Sequence, residues 1–500
     1  MRFFKWLLPL LALPLFVACF EDKSTPADKP LSNITIEQGI DSVYNIYKFD
    51  TLVIKPVISQ ENVDKPLSYT WEIDLKPYSH DEVFEFVGND LGKFNCRLIV
   101  ENEDGKAFFP FVLYVNSDYE YGITVLSQDT DGKSMLSFMQ EPMTETDSAK
   151  FTAYDCFTRN NPDEAFAAGA VDVVQSGGRL IIACQGGGER NDDPTIYYLN
   201  EKTMVAENIL TVAEYADFKP TMLGIPSMDA AGVAYPILCE NGNVYEFSTT
   251  EGAVVNPTKM KYNYAQNIIV HDNGSGFNYE LLMWDNEVNG LAMLYNGYGP
   301  YYCSKTYHAT REACTGNVNY FNGKELAKMT YIRMTPEQSR TTDAQALIVV
   351  TVGQLIQKVT MSTSFWGYNY DTSESYLSDN GGVKIAGVGA CPVSHTTPTI
   401  ANMTYYSMFF AKGNKVMRWN FTTSQLITNS DVLLSVGSDS AIITGFEMSA
   451  DHKVTYVSFY EPNATGKNGS VWAFDTDKGT VLKKYENICY RPVKMIYKKK

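Results

Sequence analysis

Beyond residue 30 the chain first alternates apolar and polar positions with a period of two, and then turns to apolar and aromatic-rich runs separated by Gly, Asn and Asp turns, a pattern of antiparallel strands. Between residues 31 and 117 this pattern predicts strands at Ser42–Ile46, Thr51–Val57, Ser68–Ile73, Phe94–Val100 and Phe108–Val115. The last two are joined by Asn102-Glu103-Asp104-Gly105, a hairpin turn in composition. Short strands at this spacing predict a β-sandwich, with Trp71 of the middle strand in its core.

From residue 118 to 500 the unit changes to a repeated hairpin. Gly122–Gln128 and Lys133–Phe138 flank the turn Asp129-Thr130-Asp131-Gly132. The pairs that follow are Arg179–Gln185 with Thr195–Leu199, Val233–Cys239 with Val244–Thr249, and Tyr279–Trp284 with Gly290–Tyr295. Ala346–Val352 with Gln354–Met361, Tyr405–Lys412 with Lys415–Phe421, and Val454–Tyr460 with Ser470–Asp475 complete the series. Opening positions 122, 179, 233, 279, 346, 405 and 454 recur every 46 to 67 residues. Such a repeat predicts a β-propeller, whose small sheets bury their faces only against one another. Seven units are expected, with Pro492–Tyr497 supplying a strand that closes the ring. The fold class is therefore all-β, a sandwich followed by a propeller.

The N-terminus reads differently. Arg2 and Lys5 precede an apolar run from Trp6 to Ala18 that is too short to span a bilayer and contains Pro9 and Pro14. Phe16-Val17-Ala18-Cys19 resembles a bacterial lipobox, and Glu21-Asp22 just beyond it is similar to the surface-export signal of Bacteroidetes lipoproteins. The resemblance implies that residues 1–18 are a signal peptide and that Cys19 is acylated. Residues 19–30, ending in Ser24-Thr25-Pro26-Ala27-Asp28-Lys29-Pro30, then serve as a polar linker. The expected location is the outer membrane, held by the lipid alone and facing the exterior.

Composition narrows the partners. The 44% hydrophobic and 20% charged residues are globular values. The formal charge is −17, and loss of Arg2 and Lys5 with the signal leaves 39 basic against 58 acidic residues. An acidic balance of this size argues against nucleic acid and anionic membrane surfaces. Nine cysteines are present, and apart from Cys19 they are scattered. Cys303 and Cys314 form the one close pair, a candidate disulfide across a loop, and no C-x-x-C metal site occurs.

Catalytic motifs are thin. Asp129-Thr130-Asp131-Gly132 and Asp475-Thr476-Asp477-Lys478-Gly479 resemble the start of calcium loops but lack the distal Glu, and hairpin turns require the same residues. Gly186-Gly187-Gly188 is not followed by the Lys-Ser of a phosphate loop. The histidines at 80, 271, 308, 395 and 452 form no H-E-x-x-H, and Asn273-Gly274-Ser275-Gly276 lies in a polar stretch rather than at a nucleophile elbow. No catalytic residue, metal ligand or cofactor is assigned. The aromatic segments Tyr295–Tyr307 and Phe365–Tyr370 are read as long binding loops. Tyr298, Tyr301, Tyr302, Trp366, Tyr368 and Tyr370 are candidate ligand contacts, because exposed rings stack on sugars and hydrogen bond to peptides.

Two further resemblances bear on function. Tyr69-Thr70-Trp71-Glu72 stands where PKD-like domains carry a Tyr-x-Trp strand, although the usual glycine-aspartate run is missing. The strands Val244–Phe247, Val416–Trp419 and Val471–Phe474 resemble degenerate blades of kelch or quinoprotein-like propellers. Anchor, PKD-like spacer and propeller together resemble the accessory lipoproteins of SusC/SusD-type uptake systems. That resemblance implies non-catalytic capture or docking of an oligosaccharide or peptide beside the transporter. A propeller hydrolase or lyase, and a structural subunit without its own ligand, stand as the alternatives. Replacing Cys19 by Ser is expected to abolish palmitate labelling and release the chain from the membrane fraction. Retained labelling would contradict the lipobox reading.

Overall fold

The computed structural model describes residues 31–141, 152–187, 193–224 and most of 234–498, the longest omission there being 303–324. Two compact units meet between Ser117 and Asp118.

In the first unit a five-stranded sheet runs in the order Val43–Tyr47, Gly105–Asn116, Gly92–Asn102, Ser68–Ile73, Lys76–Ser79. Two two-stranded sheets accompany it, Ile34–Gln38 with Val57–Gln60 and Thr51–Ile54 with Phe84–Val87. Trp71 is fully buried between them, its ring 4.9 Å from that of Phe84 and its Nε1–H donated to the Asp81 carbonyl at 2.9 Å. Alternation explains the layering, since Cys96, Leu98 and Val100 turn inward while the residues between them are only partly covered. The chain is pinned at one end, where Asn102 Nδ2 donates to the Ser32 carbonyl at 2.8 Å. It leaves from the other end, after the 12-residue strand Gly105–Asn116. At roughly 3.3 Å per residue those ends are about 36 Å apart.

The second unit is a succession of antiparallel four-stranded sheets. Ala170–Ser176, Arg179–Cys184, Thr195–Asn200 and Ala206–Thr211 form one of them in chain order. Sheets beginning at Pro220–Leu223, Tyr264–His271 and Ile442–Met448 repeat the order. An eight-stranded sheet comprises two such halves, beginning at Glu325–Arg333 and Thr399–Asn402 and joined where Ile332 and Arg333 pair in parallel with Ala401 and Asn402. Each hairpin expected from the sequence is thus the middle pair of a sheet. The flanking strands, such as Ala206–Thr211, have weak alternation and one partner only, so their pattern is less constrained.

One sheet breaks chain order. Arg491–Lys498 takes the first position beside Gly122–Gln128, followed by Ser134–Gln140 and Thr152–Ala153. Both faces of this sheet are covered. Leu126, Leu136 and Phe138 share a core with Leu180, Ile182 and Tyr197 of the next sheet, while Val125, Met135 and Met139 share one with Tyr456, Val471 and Ala473 of the last. The arrangement is a β-propeller-like ring closed by the C-terminal strand.

Lys498 secures that closure. It is 1% exposed, and its Nζ donates to the carbonyls of Tyr119 and Glu201, tying the last strand to the start of the ring and to the neighbouring sheet. Burial pushes its amine down to about 8 from an ordinary 10.5. Between those values the unfolded chain binds the proton and the folded chain does not, so this residue's contribution to stability rises with pH. Relative to Lys498→Met, the wild type is expected to gain up to about 1.4 kcal/mol per pH unit across that window in denaturant titrations. A difference independent of pH would contradict this account of the closure.

Candidate functional site

In each sheet the first-to-second and third-to-fourth connections lie at the same end, because alternate strands run in the same direction. Several polar side chains gather at that end of the ring. Arg333, the last residue of its innermost strand, reaches Glu447 near the end of another, Ile442–Met448. Both guanidinium Nη groups donate to the carboxylate, Nη2 to Oε2 at 3.0 Å, and Glu447 Oε1 also accepts the Met448 N–H at 2.8 Å. The carboxylate side chain is 5% exposed and the guanidinium side chain 36%. A buried acid therefore fixes a basic group that still meets water.

The neighbouring connections add to this group. Thr404 Oγ1 lies 3.0 Å from His452 Nδ1 and 3.4 Å from Gln338 Oε1, linking the connections that follow Arg333, Asn402 and Met448. Met403 N–H donates to the Arg333 carbonyl at 2.8 Å. Two bulky residues of these connections, Tyr406 with φ 48° and His452 with φ 60°, hold the left-handed conformation. The equivalent turn after Ala170–Ser176 uses Gly177 and Gly178, which adopt it without strain. Retaining side chains at strained positions is characteristic of sites where the side chain serves a purpose.

Further round the ring Tyr485 donates its hydroxyl to Glu141 Oε1 at 2.6 Å, and Tyr456 stacks on Tyr497 at 5.9 Å. Burial first, and the Glu141 charge second, push the Tyr456 and Tyr485 hydroxyls well above the ordinary tyrosine range. Both stay neutral, and Tyr485 acts as a donor. Midway along the strand that carries Arg333, Lys328 is 6% exposed and donates to the His395 carbonyl at 2.8 Å, and burial lowers its amine to about 8.

The aromatic segments fall on strands. Tyr298, Tyr301 and Tyr302 belong to Tyr298–Tyr302, the outermost strand of its sheet, paired with Gly290–Tyr295. Trp366 and Tyr368 belong to Trp366–Asn369, paired with Glu374–Leu377 in a separate hairpin. The sequence reading took both stretches for loops on their glycine and polar content, and the β-preference of Tyr and Trp outweighs it. Tyr298–Tyr302 lies against Glu374–Leu377, so the structure brings the two segments together. Their hairpin interrupts the third-to-fourth connection of the sheet that begins with Glu325–Arg333, which places it at the same ring end as Arg333. Tyr370, Cys303, Cys314 and Cys19 lie outside the described residues.

Sequence reasoning passed over Arg333, Glu447, Thr404 and His452, whose separation hides their meeting. The one local signal was a charge within an otherwise apolar strand, as in Gly445-Phe446-Glu447-Met448. The acidic turns are turns. Asp129 Oδ1 accepts from the N–H groups of Asp131 and Lys133, and Asp475 Oδ1 from those of Asp477 and Lys478. Among the described residues no three His, Cys, Asp or Glu side chains form a group suited to a metal.

No family model and no curated protein matches the chain. Among solved structures it is similar to a quinoprotein alcohol dehydrogenase-like protein from Bacteroides thetaiotaomicron, at 15% identity over 94% of this chain and 99% of that one, with a TM-score of 0.47. It is also similar to a hypothetical selenium-binding protein from Sulfolobus tokodaii, at 10% identity over 76% of this chain and 93% of that one, with a TM-score of 0.41. Both likenesses are distant, and the fold stands on the strand pairing itself.

A double-mutant cycle of Arg333→Ala and Glu447→Ala is expected to give a coupling of about 1–2 kcal/mol in unfolding. That is less than a fully buried pair would give, because the guanidinium is 36% exposed. Additive effects would show that the pair does not hold the ring end in place.

Proposed function

We propose that this protein is a surface lipoprotein, acylated at Cys19, that captures an oligosaccharide or peptide without catalysis and passes it to a SusC/SusD-type outer-membrane transporter. The observation that carries the capture reading is the meeting of strand Tyr298–Tyr302 with the Trp366–Asn369 hairpin, two aromatic segments far apart in sequence. Adjacent strands rich in Tyr and Trp have the composition of a surface for sugars or peptide backbones.

The rest of the molecule fits the reading. We take the first unit as a divergent PKD-like domain and the second as a seven-bladed propeller, counting each half of the eight-stranded sheet as a blade. A domain entered near Ser32 and left after Asn116, at opposite ends of its long strands, is suited to serve as a spacer. Proximity to a transporter makes even a weak site effective through high local concentration.

Screening the purified chain against oligosaccharide and peptide panels, with product analysis after long incubation, tests this. Binding of unchanged ligand, weakened about tenfold or more by Trp366→Ala or Tyr301→Ala, is the expected outcome. Turnover would replace capture with an enzyme, and silence throughout would leave a subunit that meets only its protein partners.

A further inference from the structure

Arg333 uses its guanidinium incompletely. The contact with Glu447 is end-on, engaging Nη1 and Nη2, and among the described residues the side chain makes no other hydrogen bond. An end-on pair leaves the side-on edge, Nε–H with the neighbouring Nη–H, as a second parallel pair of donors. That edge matches a carboxylate bidentately. The Arg333 side chain as a whole is 36% exposed, so it is not sealed from water. Glu447 accepts from Arg333 and the Met448 N–H and is only 5% exposed, so the acid holds the guanidinium rather than facing a ligand.

The connections that follow Arg333, Asn402 and Met448 carry groups that bond hydroxyls. The Gln338–Thr404–His452 chain supplies amide, hydroxyl and imidazole, and the left-handed Tyr406 and His452 mark the same connections. The aromatic hairpin leaves the sheet of Arg333 between its third and fourth strands, about 10–14 Å outward at ~4.8 Å per strand, on the same end. A short run of sugar units covers that distance.

We propose that the side-on edge of Arg333 takes the carboxylate of an acidic oligosaccharide, a uronate, whose neighbouring sugars extend outward toward the Trp366–Asn369 hairpin. The proposal rests on the capture reading and adds the ligand class. At −17 overall the chain does not steer anions toward itself. Selection therefore comes from the bidentate contact, and Lys cannot substitute for Arg.

The test is calorimetric titration of the full chain with short oligosaccharides of galacturonate, glucuronate and mannuronate and with their methyl esters. One acid series is expected to bind, with its ester about tenfold weaker or more. Arg333→Lys and Arg333→Gln should weaken the acid by about tenfold and narrow its preference over the ester. If those variants do not fold, the wild-type preference for acid over ester decides alone. Equal binding of acid and ester overturns the proposal. Binding of neutral oligosaccharides only, or of a peptide through its free C-terminus, overturns the uronate assignment and leaves capture standing. Binding of no sugar and no peptide removes both.

Discussion

The pairing of Arg491–Lys498 with Gly122–Gln128 is the constraint on which the ring depends. Without it the sheet of Gly122–Gln128 loses its innermost strand, and the cores on its two faces open together. Because each sheet is covered only by its neighbours, an open ring exposes two faces at once. The chain answers with apolar burial at Met495 and Ile496 and with the Lys498 amine set into carbonyls from two other parts of the ring. A lysine held this deeply is costly, and its use here reflects the need to satisfy carbonyls that water cannot reach.

Closure also explains how a site can form from residues more than a hundred positions apart. Innermost strands meet near the axis, so Arg333 and Glu447 become neighbours although 114 residues separate them. Asp172 follows the same logic elsewhere on the inner wall, accepting the Leu223 N–H at 2.9 Å and lying 3.4 Å from Lys494 Nζ. Both it and Lys494 follow register shifts against the second strand, the irregularities that re-aim side chains. Polar groups that cross sheet boundaries thus hold the wall of the ring, and the Arg333 side chain among them stays 36% exposed.

Sequence pattern made the architecture legible because hairpins report themselves locally. Val454–Tyr460 and Gly469–Asp475 are short apolar runs, buried on both faces, that pair across a polar turn. Outer strands such as Ala206–Thr211, paired on one side only, left weaker traces. Trp71 was legible as a core residue from its place in a middle strand. The candidate site was half legible. Aromatic density marked residues 295–307 and 365–370, though as loops rather than strands. Arg333, Thr404, His452 and Glu447 were not legible, since each looks ordinary in its own stretch and only ring closure juxtaposes them.

The central claim is that ligand is held at the ring end where first-to-second and third-to-fourth strand connections converge. Hydrogen–deuterium exchange of the full chain, with and without a bound oligosaccharide, tests it most directly. The account predicts slowed exchange at 298–302, 333–338, 366–369, 402–406 and 447–453. Protection confined instead to the opposite end, at 129–133, 185–187, 240–243 and 412–415, would contradict it.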